Sequence, residues 1–169
     1  MYEVATRDIP ERSLLCLKRS VDEPGAWALG KEFIAILRDR PLPRLSGPQG
    51  AVFCIYWGEV SADSDGPVEW CRPIPTNQAE MLAAQCPELT LRTEPAHREA
   101  CVALPADMAN DAIAFQLASE ALRAWATEQG LDPDTLTLGP EDLGVRITHR
   151  PSVVDPATIP DRDFAVPFA

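Results

Sequence analysis

No apolar run in this 169-residue chain is long enough to cross a bilayer as a helix, and the opening Met-Tyr-Glu-Val-Ala-Thr-Arg-Asp lacks the hydrophobic core of a secretory signal. A soluble, cytoplasmic protein with no membrane partner is expected. Positive charge is scarce: 15 Lys and Arg stand against 26 Asp and Glu, a formal net charge of −11, and no cluster of Lys or Arg forms a local basic stripe. That balance opposes a phosphate backbone and predicts no direct nucleic-acid contact. Histidine is nearly absent. His97 and His149 are the only two, neither in an H-x-x-x-H or C-x-x-C context, so no metal is expected. A Gly-rich phosphate loop and a Gly-x-Ser-x-Gly elbow are also missing, and no cofactor is predicted.

Two residue types are present in informative numbers. The five cysteines (Cys16, Cys54, Cys71, Cys86 and Cys101) are odd in count, and three sit in apolar, strand-like runs where a free thiol behaves as a small hydrophobe, so reduced cysteines are expected. The 17 prolines punctuate loops and strand ends and exclude long helices outside two stretches. One is 24–39, preceded by Asp22 and Glu23, with Pro24 in the first turn and Pro41 beyond its end. The other is 111–128, where Phe115, Ala118, Leu122 and Trp125 recur at helical spacing.

Strands surround both helices. Ala51-Val-Phe-Cys-Ile-Tyr-Trp57 is β-branched and aromatic, Asp63-Ser-Asp-Gly-Pro67 supplies a turn, and Val68-Glu-Trp-Cys-Arg-Pro-Ile74 alternates as a half-covered strand does. Residues 3–18 split at Pro10 into two extended pieces, and 91–104 split in the same way at Pro95. The pattern then returns. Trp27, Gly30, Ile34 and Leu37 precede the second helix's stripe by 88 residues, Gly47-Pro48 and 51–57 precede 139–149 by 92, and 68–74 precede 162–168 by 94. The opening pieces match at 86 or 87. Each half reads strand, strand, helix, strand, strand, with a seam at 76–88. One helix cannot cover such a sheet alone, so the halves, about 1–76 and 88–169, are expected to pair as one domain spanning 1–169. A groove near their pseudo-twofold axis is the natural ligand seat.

These residues carry a resemblance. The break Arg7-Asp-Ile-Pro-Glu-Arg12, the Gly50-Ala-Val-Phe53 strand followed by Glu69-Trp-Cys-Arg-Pro-Ile-Pro75, the opening Leu91-Arg-Thr-Glu-Pro-Ala-His-Arg-Glu-Ala100 and the ending Asp163-Phe-Ala-Val-Pro-Phe168 stand in the order of the GyrI-like effector-binding domain. That module occurs alone or as the C-terminal half of MerR-type and AraC-type multidrug-responsive activators, and the resemblance covers essentially the whole chain. It implies an α+β fold of two fused, pseudo-twofold-related strand-helix-strand-strand units, with an antiparallel sheet, helices on one face and a central cleft for bulky, aromatic or cationic molecules. It also implies a small-molecule partner, with a DNA-binding domain or regulator partner outside this chain. In the family's sensors an acidic residue on the late strand meets a cationic ligand. Here that position falls on Gly144, which departs from the cationic pattern. Another branch of the family resembles hydrolases that open strained cyclopropane-bearing compounds with an acid and an aromatic partner.

Strand alternation nominates site residues. Taking Val145 and Ile147 as facing the helices, the 92-residue interval makes Phe53 and Ile55 core and leaves Val52, Cys54 and Tyr56 on the open face with Arg146 and Thr148. Trp70, Ile74, Phe164 and Phe168 are core by alternation, leaving Glu69, Cys71, Asp163 and Ala165 opposite them. The nominated ligand-binding set is Trp27, Cys54, Tyr56, Trp57, Glu69, Phe115, Arg146 and Thr148. Tyr56 leads it, because its ring can cover a flat ligand while its hydroxyl makes a hydrogen bond. For the charged members the alternative is a solvated sheet face, and for the tryptophans ordinary core packing. No catalytic residue is assigned for a sensor; for a hydrolase the pair is Glu69 with Tyr56. Cys54 and Cys71 are expected to be neighbours across the hairpin. Three readings follow: a non-catalytic ligand sensor or sequestering domain, a hydrolase using the same cleft, and an interaction subunit acting through its acidic surface.

Overall fold

The computed structural model describes residues 2–43, 45, 50–104, 112–134, 145–149 and 162–168. These form eight strands and three helices: β1 (Val4–Ile9), β2 (Arg12–Val21), α1 (Glu23–Arg38), β3 (Phe53–Tyr56), β4 (Gly66–Ile74), α2 (Ala79–Gln85), β5 (Thr90–Glu94), β6 (His97–Leu104), α3 (Ala112–Glu128), β7 (Val145–His149) and β8 (Arg162–Phe168). No helix among the described residues is long and apolar enough to cross a membrane. The architecture is α+β with antiparallel sheets, as expected. Both predicted helices form within a residue of their expected limits, and the paired strands break at Pro10 and Pro95, where the ladder loses its N–H. The short α2 fills what reads in the sequence as a bare seam.

The chain divides into two compact units, Pro10–Ala96 (unit 2) and Met1–Ile9 with His97–Ala169 (unit 1). In unit 2 the strand order is β5-β2-β4-β3, and in unit 1 it is β1-β6-β8-β7, each neighbouring pair within a unit antiparallel. The order is the same in both, but the opening strand of each sequence half pairs with the other half: β1 with β6, and β5 with β2.

Within unit 2, α1 starts where Asp22 accepts a hydrogen bond from the backbone N–H of Gly25 at 2.7 Å, with Pro24 in the first turn. Ala26, Leu29, Gly30, Phe33 and Leu37 form its buried stripe. The helix is seated by Trp70, whose indole N–H donates to the carbonyl of Ala26 at 3.0 Å while its ring packs against Trp27 and Phe33. A side chain at Gly30 would overlap the Trp70 ring. Only glycine admits that close approach.

In unit 1, α3 buries Ala114, Ala118, Leu122 and Ala126 against Ala100, Val102, Leu104 and Val166. Gly130, at φ 72°, ends it: the N–H groups of Gly130 and Leu131 donate back to the carbonyls of Thr127 and Ala126, and Leu131 packs on the core. This is the glycine-dependent stop of a Schellman turn.

Register corrects two intervals. Cys16 lies opposite Cys71, and Cys101 opposite Ala165. With Cys71 matched to Ala165 at 94 residues, Cys16 matches Cys101 at 85, not 86 or 87. Likewise Phe53 opposite Cys71 and Arg146 opposite Ala165 place β3 and β7 at 93, not 92. The letters align acceptably one or two residues away, but a one-residue slip turns every side chain to the other face.

Candidate functional site

Register also redistributes the nominated residues. Cys54 lies opposite Trp70, and Tyr56 opposite Val68, so both share the face that α1 covers. Phe53 lies opposite Cys71 and Ile55 opposite Glu69, on the other face. This reverses the alternation expected for β3. The reason is that Phe53, Cys54 and Ile55 are all buried, at 1%, 0% and 0% exposure, and a strand covered on both sides gives no polar alternation to read. Tyr56 and Glu69 are therefore not brought together. Cys54 and Cys71 are not neighbours across the hairpin either; the partner of Cys71 is Cys16.

On the α1 face of unit 2, Trp27, Cys54 and Tyr56 surround the Trp70 anchor. Trp27 meets Trp70 edge to face, with centroids 6.3 Å apart, and both Trp27 and Tyr56 remain partly exposed. The opposite face carries the charge. Glu69, 4% exposed, accepts two hydrogen bonds from Arg92, at 2.6 Å from Nη2 and 3.1 Å from Nε. Burial opposes the Arg92 charge, but hydrogen bonds to Glu69 and the nearby Cys71 and Cys16 thiols outweigh it and raise its pKa. Arg92 and Lys18 both approach the ring of Trp57, at 5.7 and 4.7 Å from its centroid, and Trp57 packs on Leu14, Cys16, Phe53, Ile55 and Cys71. Further along, Arg12 and Glu94 form a buried ion pair at 2.7 Å, with Arg12 lying over Phe53.

Unit 1 supplies a groove of about 510 Å³ between β1 and α3, floored by Val4, Ala121, Ala124 and Trp125, with Tyr2, Leu117, Glu120 and Glu128 around it. Its volume suits a drug-sized molecule. The Tyr2 hydroxyl is buried and has no hydrogen-bond partner among the described residues. Glu120 accepts from the Gln116 amide at 3.0 Å. Phe115, two residues before Leu117 on α3, packs edge to face on Phe164 at 6.0 Å and belongs to the core. On the face of unit 1 away from α3, Glu99 at 1% exposure joins Arg7 at 2.8 Å and His97 at 2.9 Å.

The nominated set thus splits. Trp27, Cys54 and Tyr56 share one face of unit 2, Trp57 and Glu69 share the other, and Phe115 lies in unit 1. Arg146 and Thr148 occupy β7 positions opposite Ala165 and Asp163. Their side chains, and the Gly144 position, lie outside the described residues. Sequence reasoning missed Arg92 and Lys18 beside Trp57, Cys16 beside Cys71, and Tyr2 with Trp125 at the groove. Trp125 reads as core and does pack there, but it also lines the groove.

No protein-family model matches the sequence, and no curated protein matches it. Solved structures do resemble the fold. The C-terminal domain of EcmrR superimposes with a TM-score of 0.66 at 18% identity, over 99% of this chain and 97% of that one. EcmrR in its DNA complex is matched at 0.58 and 18% over 98% of this chain, which spans 57% of that longer one. SAV2435 bound to tetraphenylphosphonium gives 0.61 at 10%, covering 98% and 93%. A hydrolase from Listeria innocua gives 0.54 at 12%, covering 99% and 92%. The chain has the GyrI-like α+β fold of these structures.

Proposed function

We propose that this chain is a small-molecule-binding domain of transcription-regulator type, a sensor or sequestering module that holds a hydrophobic, aromatic, drug-like compound without altering it. The observation that carries this reading is the end-to-end match to the EcmrR C-terminal domain, supported by the aromatic-lined groove of unit 1. In the regulator reading, the DNA-reading part is a domain or partner outside this chain. The groove's floor of Val4, Ala121, Ala124 and Trp125 removes apolar ligand surface from water at about 25 cal/mol per Å². Glu120 and Glu128 add negative potential around it. Trp27 and Tyr56 on the α1 face of unit 2 are the second seat.

Isothermal titration with a panel of flat aromatic compounds tests this. Saturable heat is expected, weakened by Leu117→Asp if the ligand sits in the groove and by Tyr56→Ala if it sits at the second seat. An absence of saturable heat across the panel counts against the reading.

The alternative is a hydrolase opening strained, cyclopropane-type genotoxins, and the hydrolase-named structural neighbour favours keeping it in view. The Glu69 and Tyr56 pair does not supply its chemistry, because Tyr56 lies on the other face of the sheet from Glu69. Mass spectrometry of a strained substrate after incubation separates the two: a binding module returns the compound intact.

A further inference from the structure

Two thiols and a carboxylate, all able to ligate a metal ion, converge on the face of unit 2 turned away from α1. Cys16 on β2 lies directly opposite Cys71 on β4, and Glu69 precedes Cys71 by one pleat on the same side. The two sulfurs are 3.6 Å apart, and Cys16, Cys71 and Glu69 each offer a ligand atom within 4.8 Å of the others. All three residues are buried, with Leu14, Phe53 and Ile55 packed around the thiols.

The two thiols share an S–H···S hydrogen bond, and their separation is compatible with some metal geometries and not with others. Two thiolates about 2.3 Å from a tetrahedral zinc lie about 3.8 Å apart, whereas linear coordination at that bond length needs about 4.6 Å. A disulfide needs about 2.05 Å. The observed spacing sits closest to the tetrahedral edge.

Charge points the same way. Glu69 is neutralised by Arg92, whose Nη2 also lies 3.9 Å from the Cys71 sulfur. Cys16 and Cys71 are both free, buried thiols. Exchanging two thiol protons for one dication leaves the buried charge unchanged, and no ion is stranded in an apolar setting.

We propose that Cys16, Cys71 and Glu69 form a binding site for a thiophilic divalent ion of the zinc class, with Arg92 orienting the carboxylate. On binding, two S–H bonds break, two metal–sulfur bonds form, both protons leave to water, and no electron is transferred. At the matching position of unit 1 Cys101 faces Ala165, which offers no second thiol. This inference goes beyond the small-molecule reading and stands independently of it.

The test uses the full chain, reduced and stripped by chelator, titrated with Cd²⁺ as the spectroscopic probe. An ultraviolet thiolate-to-cadmium charge-transfer band is expected to saturate at one ion per chain, to strengthen as pH rises and protons are more easily displaced, and to fall when Zn²⁺ competes. Cys16→Ser or Cys71→Ser abolishes it. Glu69→Gln and Arg92→Gln weaken binding by about 10–100-fold. Where a serine variant fails to fold, the unaltered chain decides by peptide mapping after alkylation, with bound Cd²⁺ expected to protect Cys16 and Cys71. No saturating band, a band that survives Cys16→Ser, or protection falling on Cys54, Cys86 or Cys101 instead overturns the proposal.

Discussion

Unit 2 and unit 1 share a strand order but differ in what they place on it. Matched by register, the edge-strand arginines Arg92 and Arg7 correspond, and each reaches a buried glutamate. In unit 1 that glutamate, Glu99, stands directly opposite Arg7. In unit 2 the position opposite Arg92 is Leu14, and the glutamate lies one strand further in, at Glu69, beside the Cys16 and Cys71 thiols. On the helix side, unit 2 pairs Gly30 with Trp70, where unit 1 pairs Ala118 with Phe164, a smaller ring and a larger helix residue. The groove lies in unit 1. One scaffold thus carries different chemistry in each unit: the shared strand order fixes where side chains can meet, and the substituents decide what they do there.

The largest expected effect breaks the charge side of this comparison. Glu94→Gln removes the carboxylate charge that meets the buried Arg12 guanidinium, 9% exposed, and should cost about 3–5 kcal/mol in urea denaturation. Glu99→Gln in unit 1 should cost less, because Arg7 is 20% exposed and more easily rehydrated. Equal losses would mean that the two sites are not distinguished by burial.

Next in size is Gly30→Ala, whose methyl overlaps the Trp70 ring and should destabilise by roughly 1–3 kcal/mol. Combined with Trp70→Phe, which imitates unit 1, the pair should lose less than the sum of the single changes; strict additivity would show that the helix contact is not what restricts position 30. Tyr2→Phe removes a buried hydroxyl that has no partner among the described residues, so thermal stability should stay level or rise slightly. A clear loss would reveal an acceptor for that hydroxyl.

Smallest is the surface difference between Glu32, held by Arg19 at 2.5 and 2.7 Å, and Glu120, which accepts from the Gln116 amide. The hydrogen bond from Arg19 lowers the Glu32 pKa below its ordinary value. A carboxylate depressed in the folded state contributes above its unfolded pKa and loses that contribution as pH falls through the folded one. The slight stability gap between Arg19→Gln and the unaltered chain should therefore close on acidification, measured by melting at neutral and acidic pH. A gap that persists there would assign the effect to packing.

Much of this was legible in the sequence for physical reasons. Helix boundaries were written in Asp22, Pro24 and the stripe from Phe115 to Trp125, and strand breaks in Pro10 and Pro95. Facing was not legible, because Phe53, Cys54 and Ile55 are all buried and their alternation is silent, so the choice between faces rests on cross-strand register. That register separated Tyr56 from Glu69. The Cys16, Glu69 and Cys71 cluster escaped because motif spacing sees ligands on one segment, whereas here β2 and β4 bring them together; the alternation of Glu69 and Cys71 was the one visible trace.

Equilibrium dialysis against the flat aromatic panel, followed by mass spectrometry of both chambers, tests the central claim most directly. The account predicts saturable retention on the protein side and recovery of every compound at its original mass. A panel distributed evenly across the membrane, or a retained compound whose mass has changed, would contradict it.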